Sequence, residues 1–217
     1  MMFQIPLIAQ ELHLRVVLEG PAQNTLKNDD LMQTLPEVQL RSYGIPAPAG
    51  TVDMITVLLL NPQTNTVQHT LSGWLLKNGQ VTNLAGNQVY LEAPEGTYNI
   101  IVKHRNHLPI TSAKPITIQR QTILDLTNPT IAKPNSYIKH PKGLSMMIAG
   151  NVYDTPNELY AEVNAADMFI VFAAISEKRP EILIKEDLNL DGIVNEEDAR
   201  IVENHSLSLR YTTAENK

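Results

Sequence analysis

Alternating apolar and polar residues run through roughly the first two thirds of the chain, a pattern typical of strands with one buried face. The alternation is clearest near the start, where Leu12, Leu14 and Val16 occupy every second position. Residues 52–60 are apolar at nearly every position, as expected of a strand that is covered on both faces. Turn residues separate several short runs of this kind, and no helical period lies between them. The pattern predicts a mainly β fold, a β-sandwich, over residues 11–140.

Residues 77–80 (Lys-Asn-Gly-Gln) separate two apolar runs and indicate a tight hairpin. An Asn-Gly pair suits a type I′ turn, because that turn needs positive φ at both central residues. We therefore expect left-handed backbone at both Asn78 and Gly79. Short strands joined by such turns suit an immunoglobulin-like or transthyretin-like sandwich.

The character of the sequence changes from about residue 149 onward, and this change predicts a separate helical segment. Residues 165–176 form an apolar run of helix length, and residues 198–204 indicate a second, shorter helix. We divide the chain into an apolar N-terminal segment, a β-sandwich domain, a duplicated C-terminal segment and a tail. Their bounds are 1–10, 11–140, 149–210 and 211–217.

The N-terminal segment is apolar, but it lacks a basic region and is interrupted by Gln4 and Pro6, so it is a poor signal peptide. Two arrangements stay open for it. In the first, the segment packs on its own domain. In the second, it adds a β-strand to the open sheet edge of a neighbouring chain, as in pilus-like filaments.

Composition removes several classes of function. The net charge is −6 and the pI is near 5.5, which argues against a nucleic acid partner. The chain contains no cysteine, so disulfides, thiol catalysis and thiolate metal sites are excluded. The longest unbroken apolar run, 168–175, is too short to cross a bilayer, and we expect no membrane span.

A short repeat occurs twice in the C-terminal segment. Residues 163–171 and 194–202 both read V-N-x-x-D-x-x-I-V. In each copy the asparagine is placed to cap a helix, and the aspartate three residues later can reach back to it as in a capping box. Capping alone explains the repeat, so the repeat by itself does not indicate a metal.

Residues 187–198 precede the helix of the second copy and carry oxygen side chains at loop positions 1, 3, 5, 9 and 12. Calcium takes about six to eight oxygen ligands, and a tightly wound loop can supply them. Gly192, at position 6, permits the sharp turn. The predicted calcium ligands are Asp187, Asn189, Asp191, Ile193 through its backbone carbonyl, Asn195 and Asp198.

Two alternatives to calcium stay open for this loop. One is a solvated acidic turn, and the other is magnesium, which prefers a smaller and more hydrated site. A second, weaker calcium site is predicted in the first copy, where the acidic residues are fewer and a spacer follows. Its ligands would be Asn151, Asp154, Asn164 and Asp167, which can meet only through an irregular loop.

The pattern D-x-N-x-D-G-x-V-N-x-x-D, followed by one helix and present in two copies, resembles the calcium repeat of type I dockerins. The resemblance covers residues 150–207, and the first copy departs from the pattern. It implies an EF-hand-like calcium segment that docks onto a cohesin-like protein. One helix begins with two glutamates and the other with two alanines, which disfavours symmetric binding by the two faces.

A larger resemblance spans nearly the whole chain. Three stretches are similar to a module near the C-termini of secreted and surface proteins of the Bacteroidetes type, namely residues 14–21, the hairpin at 75–84, and 98–108 with its block V-x-x-R-N-H-L. The resemblance implies an extracellular or cell-surface β-sandwich with a calcium segment. It implies no enzymatic activity and identifies no partner.

His104, Arg105 and His107 suggest a catalytic or zinc site, but the two histidines would not share a face of an extended strand. We interpret the three residues as a polar loop that hydrogen-bonds to neighbouring backbone.

We also interpret three aromatic residues as core or sheet-face side chains rather than as a sugar-stacking platform: Trp74, Tyr90 and Tyr98.

These observations lead to one main hypothesis and two alternatives. The main hypothesis is a non-catalytic, extracellular, calcium-binding structural protein. It would be a cell-surface or filament subunit that self-associates or binds another surface protein. The first alternative is a dockerin-like recognition module for a cohesin-like partner. The second is a carbohydrate-binding sandwich.

Overall fold

The computed structural model describes residues 9–22, 30–153, 160–177, 185–207 and 211–213. Within these ranges the chain forms thirteen strands and three α-helices. The strands are β1 (Gln10–Arg15), β2 (Thr51–Leu60), β3 (Val67–Leu76), β4 (Val81–Thr82), β5 (Leu91–Ala93), β6 (Gly96–His104), β7 (His107–Thr111), β8 (Ile116–Ile118), β9 (Gln121–Asp125), β10 (Ile138–Lys139), β11 (Ser145–Met146), β12 (Tyr160–Glu162) and β13 (Tyr211–Thr213). The helices are α1 (Glu37–Leu40), α2 (Ala165–Glu177) and α3 (Glu196–Ser206).

Two sheets form most of the molecule. The larger has the strand order β4-β3-β2-β6-β7, with β8 also paired to β6. The smaller has the order β5-β1-β9, in which β1 is antiparallel to β5 and parallel to β9. The pairs β10–β11 and β12–β13 lie outside these two sheets. The fold is mainly β, as the sequence predicts.

Apolar residues of both sheets share one core. Leu12 and Leu14 of the smaller sheet belong to the same buried cluster as Ile55 and Val57 of the larger one. Trp74 lies in this cluster with no exposed surface. Two sheets that enclose a common apolar core form a β-sandwich, which confirms the architecture predicted for this part of the chain.

β2 is buried on both faces, as its nearly continuous apolar sequence predicts. Val57 and Leu59 belong to the shared core, whereas Leu58 and Leu60 pack with Ile101 in a separate cluster. All five side chains are at most 4% exposed. Burial on both faces explains why this strand lacks the usual alternation of polar residues.

The predicted hairpin between β3 and β4 is present, but its turn is not type I′. Gly79 has a φ of +84°, whereas Asn78 is not among the residues with positive φ. The Gly79 N–H donates to the Leu76 carbonyl at 2.8 Å, so the turn is completed before the left-handed glycine. The expectation of positive φ at Asn78 was therefore wrong, because a three-residue connection with one left-handed glycine also joins antiparallel strands.

α2 and α3 pack against each other, which confirms the two helices predicted in the C-terminal segment. Val171 of α2 and Val202 of α3 are fully buried, in a cluster that also contains Leu108 of β7. The helices therefore rest on the sandwich. β13 pairs antiparallel with β12, so part of the predicted tail belongs to a small sheet. None of the helices in the described ranges is long and apolar enough to span a membrane.

β1 is the central strand of the smaller sheet, with β5 on one side and β9 on the other. Both of its edges are thus paired within the same chain, and neither is open to a neighbouring sheet. Residues 1–8 of the predicted N-terminal segment lie outside the described residues. The strand-addition hypothesis therefore depends on those first residues and not on β1.

Gly20 marks a close approach between the sandwich and the C-terminal segment, since a Cβ atom there would lie 1.8 Å from the Leu188 carbonyl oxygen. We expect Gly20→Ala to lower the free energy of unfolding by about 3 kcal/mol, because the two segments must move apart. Gly44→Ala is the control, because no other segment lies within 4 Å of its Cβ position. Only the positive φ of Gly44 then matters, at about 1 kcal/mol. Urea unfolding followed by Trp74 fluorescence compares the two, and equal losses would contradict the expectation.

Candidate cation loop and buried polar network

Asp198 organises the loop that precedes α3. Its Oδ1 accepts the backbone N–H groups of Leu188 and Asn189 at 2.7 and 3.2 Å, and its Oδ2 accepts the N–H of Asn195 at 2.9 Å. The Asn195 side chain accepts the Glu197 N–H at 2.7 Å, which completes the predicted capping box. One buried carboxylate thus fixes both the start of the helix and the first turn of the loop.

Asp167 has the same role before α2. Its Oδ1 accepts the N–H groups of Val152 and Tyr153, both at 2.8 Å, and its Oδ2 accepts the N–H of Asn164 at 2.9 Å. Asn164 caps α2 by accepting the Ala166 N–H at 2.8 Å. The two copies of the repeat therefore share one hydrogen-bond arrangement, which confirms the predicted capping in both.

Asp187, the first predicted ligand, is 1% exposed. Its Oδ2 accepts the Gly192 N–H at 3.0 Å, but no donor in the described part of the chain reaches its Oδ1. Burial, followed by the charge of Asp198, raises the pKa of Asp187 to about 7. Burial also raises the pKa of Asp198. A buried carboxylate oxygen without a donor is unfavourable, and a bound cation would compensate for it.

The other predicted ligands surround the turn at Gly192, whose φ is +95°. Asp191 accepts the Ile193 N–H at 2.8 Å, and the Asn189 side-chain oxygen accepts the Asp191 N–H at 3.0 Å. The Asn189 amide nitrogen donates to Asp191 at 3.1 Å and to Glu197 at 3.4 Å. Glu197 was not a predicted ligand, because it lies one position before the last ligand position of the loop.

The described residues include no group of three or more His, Asp or Glu side chains close enough together to hold a metal ion. In this loop the carboxylates of Asp191 and Asp198 are engaged in the internal bonds given above. The oxygen ligand types and the glycine turn nevertheless fit a hard cation such as calcium. The observation that supports this fit is the Oδ1 of Asp187, which is buried and has no donor within the described ranges.

The predicted second set of ligands is only partly brought together. Asn151 has a buried Oδ1 that no donor among the described residues reaches, as Asp187 does at the equivalent position. Asn164 serves as a helix cap and Asp167 as an acceptor of backbone N–H groups. Asp154 lies outside the described residues. Because the first position carries a neutral amide, the electrostatic demand for a cation is weaker here.

Asp53 is the centre of a buried polar network inside the sandwich, and it has no exposed surface. Its Oδ2 accepts His104 Nε2 at 3.0 Å and Arg105 Nε at 2.7 Å, and its Oδ1 accepts the Tyr43 hydroxyl. Burial alone would raise the pKa of Asp53. The hydrogen bond from His104 and the charge of Arg105 outweigh burial and hold that pKa below its usual range. The sequence did not reveal Asp53, which lies 51 residues before His104.

His104 and His107 contact each other, so the prediction that they would not share a face was wrong. They are cross-strand partners of β6 and β7, because the chain turns at Arg105 and Asn106. Their Nδ1 atoms are 3.0 Å apart and both residues are buried. Burial lowers the pKa of His107 well below its usual value, so its ring is neutral at physiological pH. The contacts of both rings lead mainly to side chains, not to the neighbouring backbone that was predicted.

Asn106 connects this network to both copies of the repeat. Its Oδ1 accepts from His107 Nδ1 at 2.7 Å. Its amide nitrogen donates to the carbonyls of Asp187 at 2.7 Å and of Lys185 at 2.9 Å. Its own carbonyl accepts the N–H groups of Gly150 and Asn151 at 2.9 and 3.1 Å. Sequence reasoning missed this role, since an asparagine in a turn is common and carries no specific signal.

Two of the three aromatic residues are core side chains, as predicted. Trp74 is 0% and Tyr98 is 5% exposed, so neither offers a ring face to a sugar. Tyr90 is half-buried, and its ring lies 5.5 Å from that of His13. The carbohydrate-binding alternative therefore loses the aromatic surface it required from Trp74.

No protein-family model and no curated protein matches this chain. Two solved structures of the type II cohesin–X–dockerin complex from Acetivibrio cellulolyticus each contain a similar chain, one in a C-terminal and one in an N-terminal interface mutant. The identities are 18% and 15%, the TM-score is 0.47 in both, and the alignments cover 90% of this chain and 94% of the other. A likeness this weak carries no argument about function.

We expect Asp53→Asn to lower the free energy of unfolding by about 3 kcal/mol at neutral pH, because it leaves Arg105 and His104 without their buried acceptor charge. Asp30→Asn is the control, since its partly exposed ion pair with Lys77 is worth less than about 1 kcal/mol. The pKa of Asp53 is lowered in the folded state, so its contribution is present above its unfolded pKa of about 4 and is lost as pH falls further. Urea titrations at several pH values test this, and similar losses from the two variants would contradict it.

Proposed function

We propose that the chain is a non-catalytic, extracellular structural and binding protein whose C-terminal segment is stabilised by calcium. The observation that carries the proposal is the buried Oδ1 of Asp187, which no donor in the described ranges reaches. This oxygen lies at the first position of a loop with the ligand spacing of a calcium site. The extracellular location rests on the resemblance of the sequence to secreted and surface modules.

Calcium would be held by the oxygen atoms of one loop and would neutralise its acidic side chains. The ligands would be Asp187, Asn189, Asp191, the Ile193 carbonyl, Asn195 and Asp198. Calcium binds carboxylates in their ionised form, so protons compete with the ion and calcium affinity should rise with pH. Binding to the folded state alone stabilises it by mass action, a substitute for disulfides in a chain without cysteine.

A solvated acidic turn is the competing interpretation of the same loop. The bonds from Asn189 to Asp191 and Glu197 favour it, because they reduce the repulsion between carboxylates without a cation. The burial of Asp187 opposes it, since a side chain that is 1% exposed is not solvated. A variant at Asp187 therefore separates the two interpretations.

We expect calcium to raise the thermal unfolding midpoint by about 5–10 °C relative to excess EGTA, since a ligand at about 100 times its Kd adds about 2.7 kcal/mol. Asp187→Asn should abolish this response. In EGTA the same variant should be at least as stable as the unsubstituted chain, because it removes a buried charge whose Oδ1 no donor among the described residues reaches.

Asp30→Asn is the matched control and should retain the full calcium response, because its carboxylate pairs with Lys77 on the sandwich. Scanning calorimetry measures the midpoints, and isothermal titration gives the number of ions, one or two, which also tests the site around Asn151. Magnesium at the same concentration should give a smaller shift. Identical midpoints in calcium and EGTA would favour the acidic turn.

Recognition of a protein partner is the second candidate function, and the outer face of α2 favours it. Phe169 and Phe172 are 72% and 41% exposed, and their spacing places them on one side of the helix. Leu207 is 85% exposed and directly follows α3. The last residue of α3, Ser206, contacts Met168 of α2, so Leu207 lies near the same helix. Exposed aromatic side chains grouped in this way are typical of protein-binding surfaces.

α2 begins with two alanines and α3 with two glutamates, so the two helices present different first turns. We therefore expect a partner to bind α2 alone, and not either helix in turn. A cohesin domain is the probe that the sequence resemblance suggests. We expect calcium-dependent binding that is weakened about tenfold or more by Phe169→Ser combined with Phe172→Ser. Ile123→Ser, which removes an 82% exposed side chain from β9, is the control. Surface plasmon resonance in calcium and in EGTA provides the measurement, and equal binding by both variants would exclude this face.

A further inference from the structure

Three primary amide side chains of the sandwich donate hydrogen bonds to backbone carbonyls of the candidate cation loop, residues 187–198. Asn106, between β6 and β7, donates to the carbonyl of Asp187 at 2.7 Å. Gln33 donates to the carbonyl of Asn189 at 2.7 Å. Gln39, in α1, donates to the carbonyl of Gly192 at 3.3 Å.

These bonds fall on the part of the loop that carries the candidate ligands. Two of the three carbonyls belong to Asp187 and Asn189, whose side chains are the first two ligand positions. The third belongs to Gly192, next to the Ile193 carbonyl. A hydrogen bond to a carbonyl restrains the orientation of its peptide plane, so the three amides restrain the backbone of the loop.

Packing restricts the loop on the same side. A Cβ atom on Gly192 would lie 2.8 Å from the Pro36 ring, and there is no room for a side chain at this turn. Leu188 packs into the helical cluster and Leu190 into the core of the sandwich. The backbone of the loop is thus held between the two parts of the molecule.

We propose that the cation site is shared, with ligands from the C-terminal loop and a loop conformation set by Gln33, Gln39 and Asn106 of the sandwich. This inference rests on the proposed calcium site. Groups that position ligands without touching the ion commonly change metal affinity by about 10–100-fold. Because the amides hold the loop in one conformation before the ion arrives, calcium binding loses less conformational freedom.

The shared site also couples calcium to the stability of the sandwich. The chain has a single tryptophan, Trp74, and it lies in the sandwich core. Its fluorescence therefore follows the unfolding of the sandwich, whereas the helical circular dichroism signal follows mainly α2 and α3. If the site is shared, calcium raises the midpoint of both signals by the same amount.

The experiment compares Gln33→Met and Asn106→Leu with Gln63→Met, in the full chain. The first two remove amide donors to the loop, and the control removes an exposed amide from the turn between β2 and β3. Calcium titration should show affinity reduced about threefold to tenfold by Gln33→Met and about tenfold or more by Asn106→Leu, with the control unchanged. In the two loop variants calcium should also shift the Trp74 midpoint less than in the unsubstituted chain.

Each outcome separates this inference from the proposed function. If the unsubstituted chain takes up no calcium, the calcium proposal and the shared site both fail. If it binds calcium and Gln33→Met binds as tightly, the shared site alone fails. Gln33 is half-buried, so its variant decides the question even if Asn106→Leu does not fold.

Discussion

The packing of the C-terminal segment on the sandwich depends on the hydrogen bonds of one buried amide side chain, that of Asn106. Its oxygen accepts from His107, so its nitrogen must point the other way, toward the carbonyls of Asp187 and Lys185. Its own carbonyl meanwhile accepts from the chain just after residue 149. A side chain with no exposed surface that uses all of these groups has one possible orientation. The loop before α3 is therefore positioned by the turn between β6 and β7.

The same constraint gives a reason for the polar network behind Asn106. Asp53 accepts from His104, and His104 contacts His107, which in turn contacts Asn106. Each of these groups is buried, and each would be costly without its neighbour. The network thus extends from the interior of the sandwich to the first candidate calcium ligand. It is a structural connection between the two parts of the molecule.

Periodicity and local motifs were sufficient to predict the sandwich, the two C-terminal helices and their caps, because these features are encoded by residues close together in sequence. The capping role of Asp167 and Asp198 follows from a spacing of three residues. Asp53, Gln33 and Gln39 could not be predicted, since their partners lie far away along the chain and amides and acids are common in loops. The pairing of His104 with His107 required the turn between them to be known, and an extended strand was the wrong assumption.

The two copies of the repeat show how one backbone arrangement supports different electrostatics. In both, an aspartate at the helix start accepts three backbone N–H groups, so internal hydrogen bonds hold the start of each helix to the loop before it. They differ at the first loop position, where one has Asn151 and the other Asp187, each with a buried oxygen that no donor in the described ranges reaches. An amide oxygen in that position leaves a neutral group unsatisfied, whereas a carboxylate leaves a charge. A bound cation would therefore stabilise the second copy more than the first. The second copy is also the one whose loop accepts hydrogen bonds from Gln33, Gln39 and Asn106.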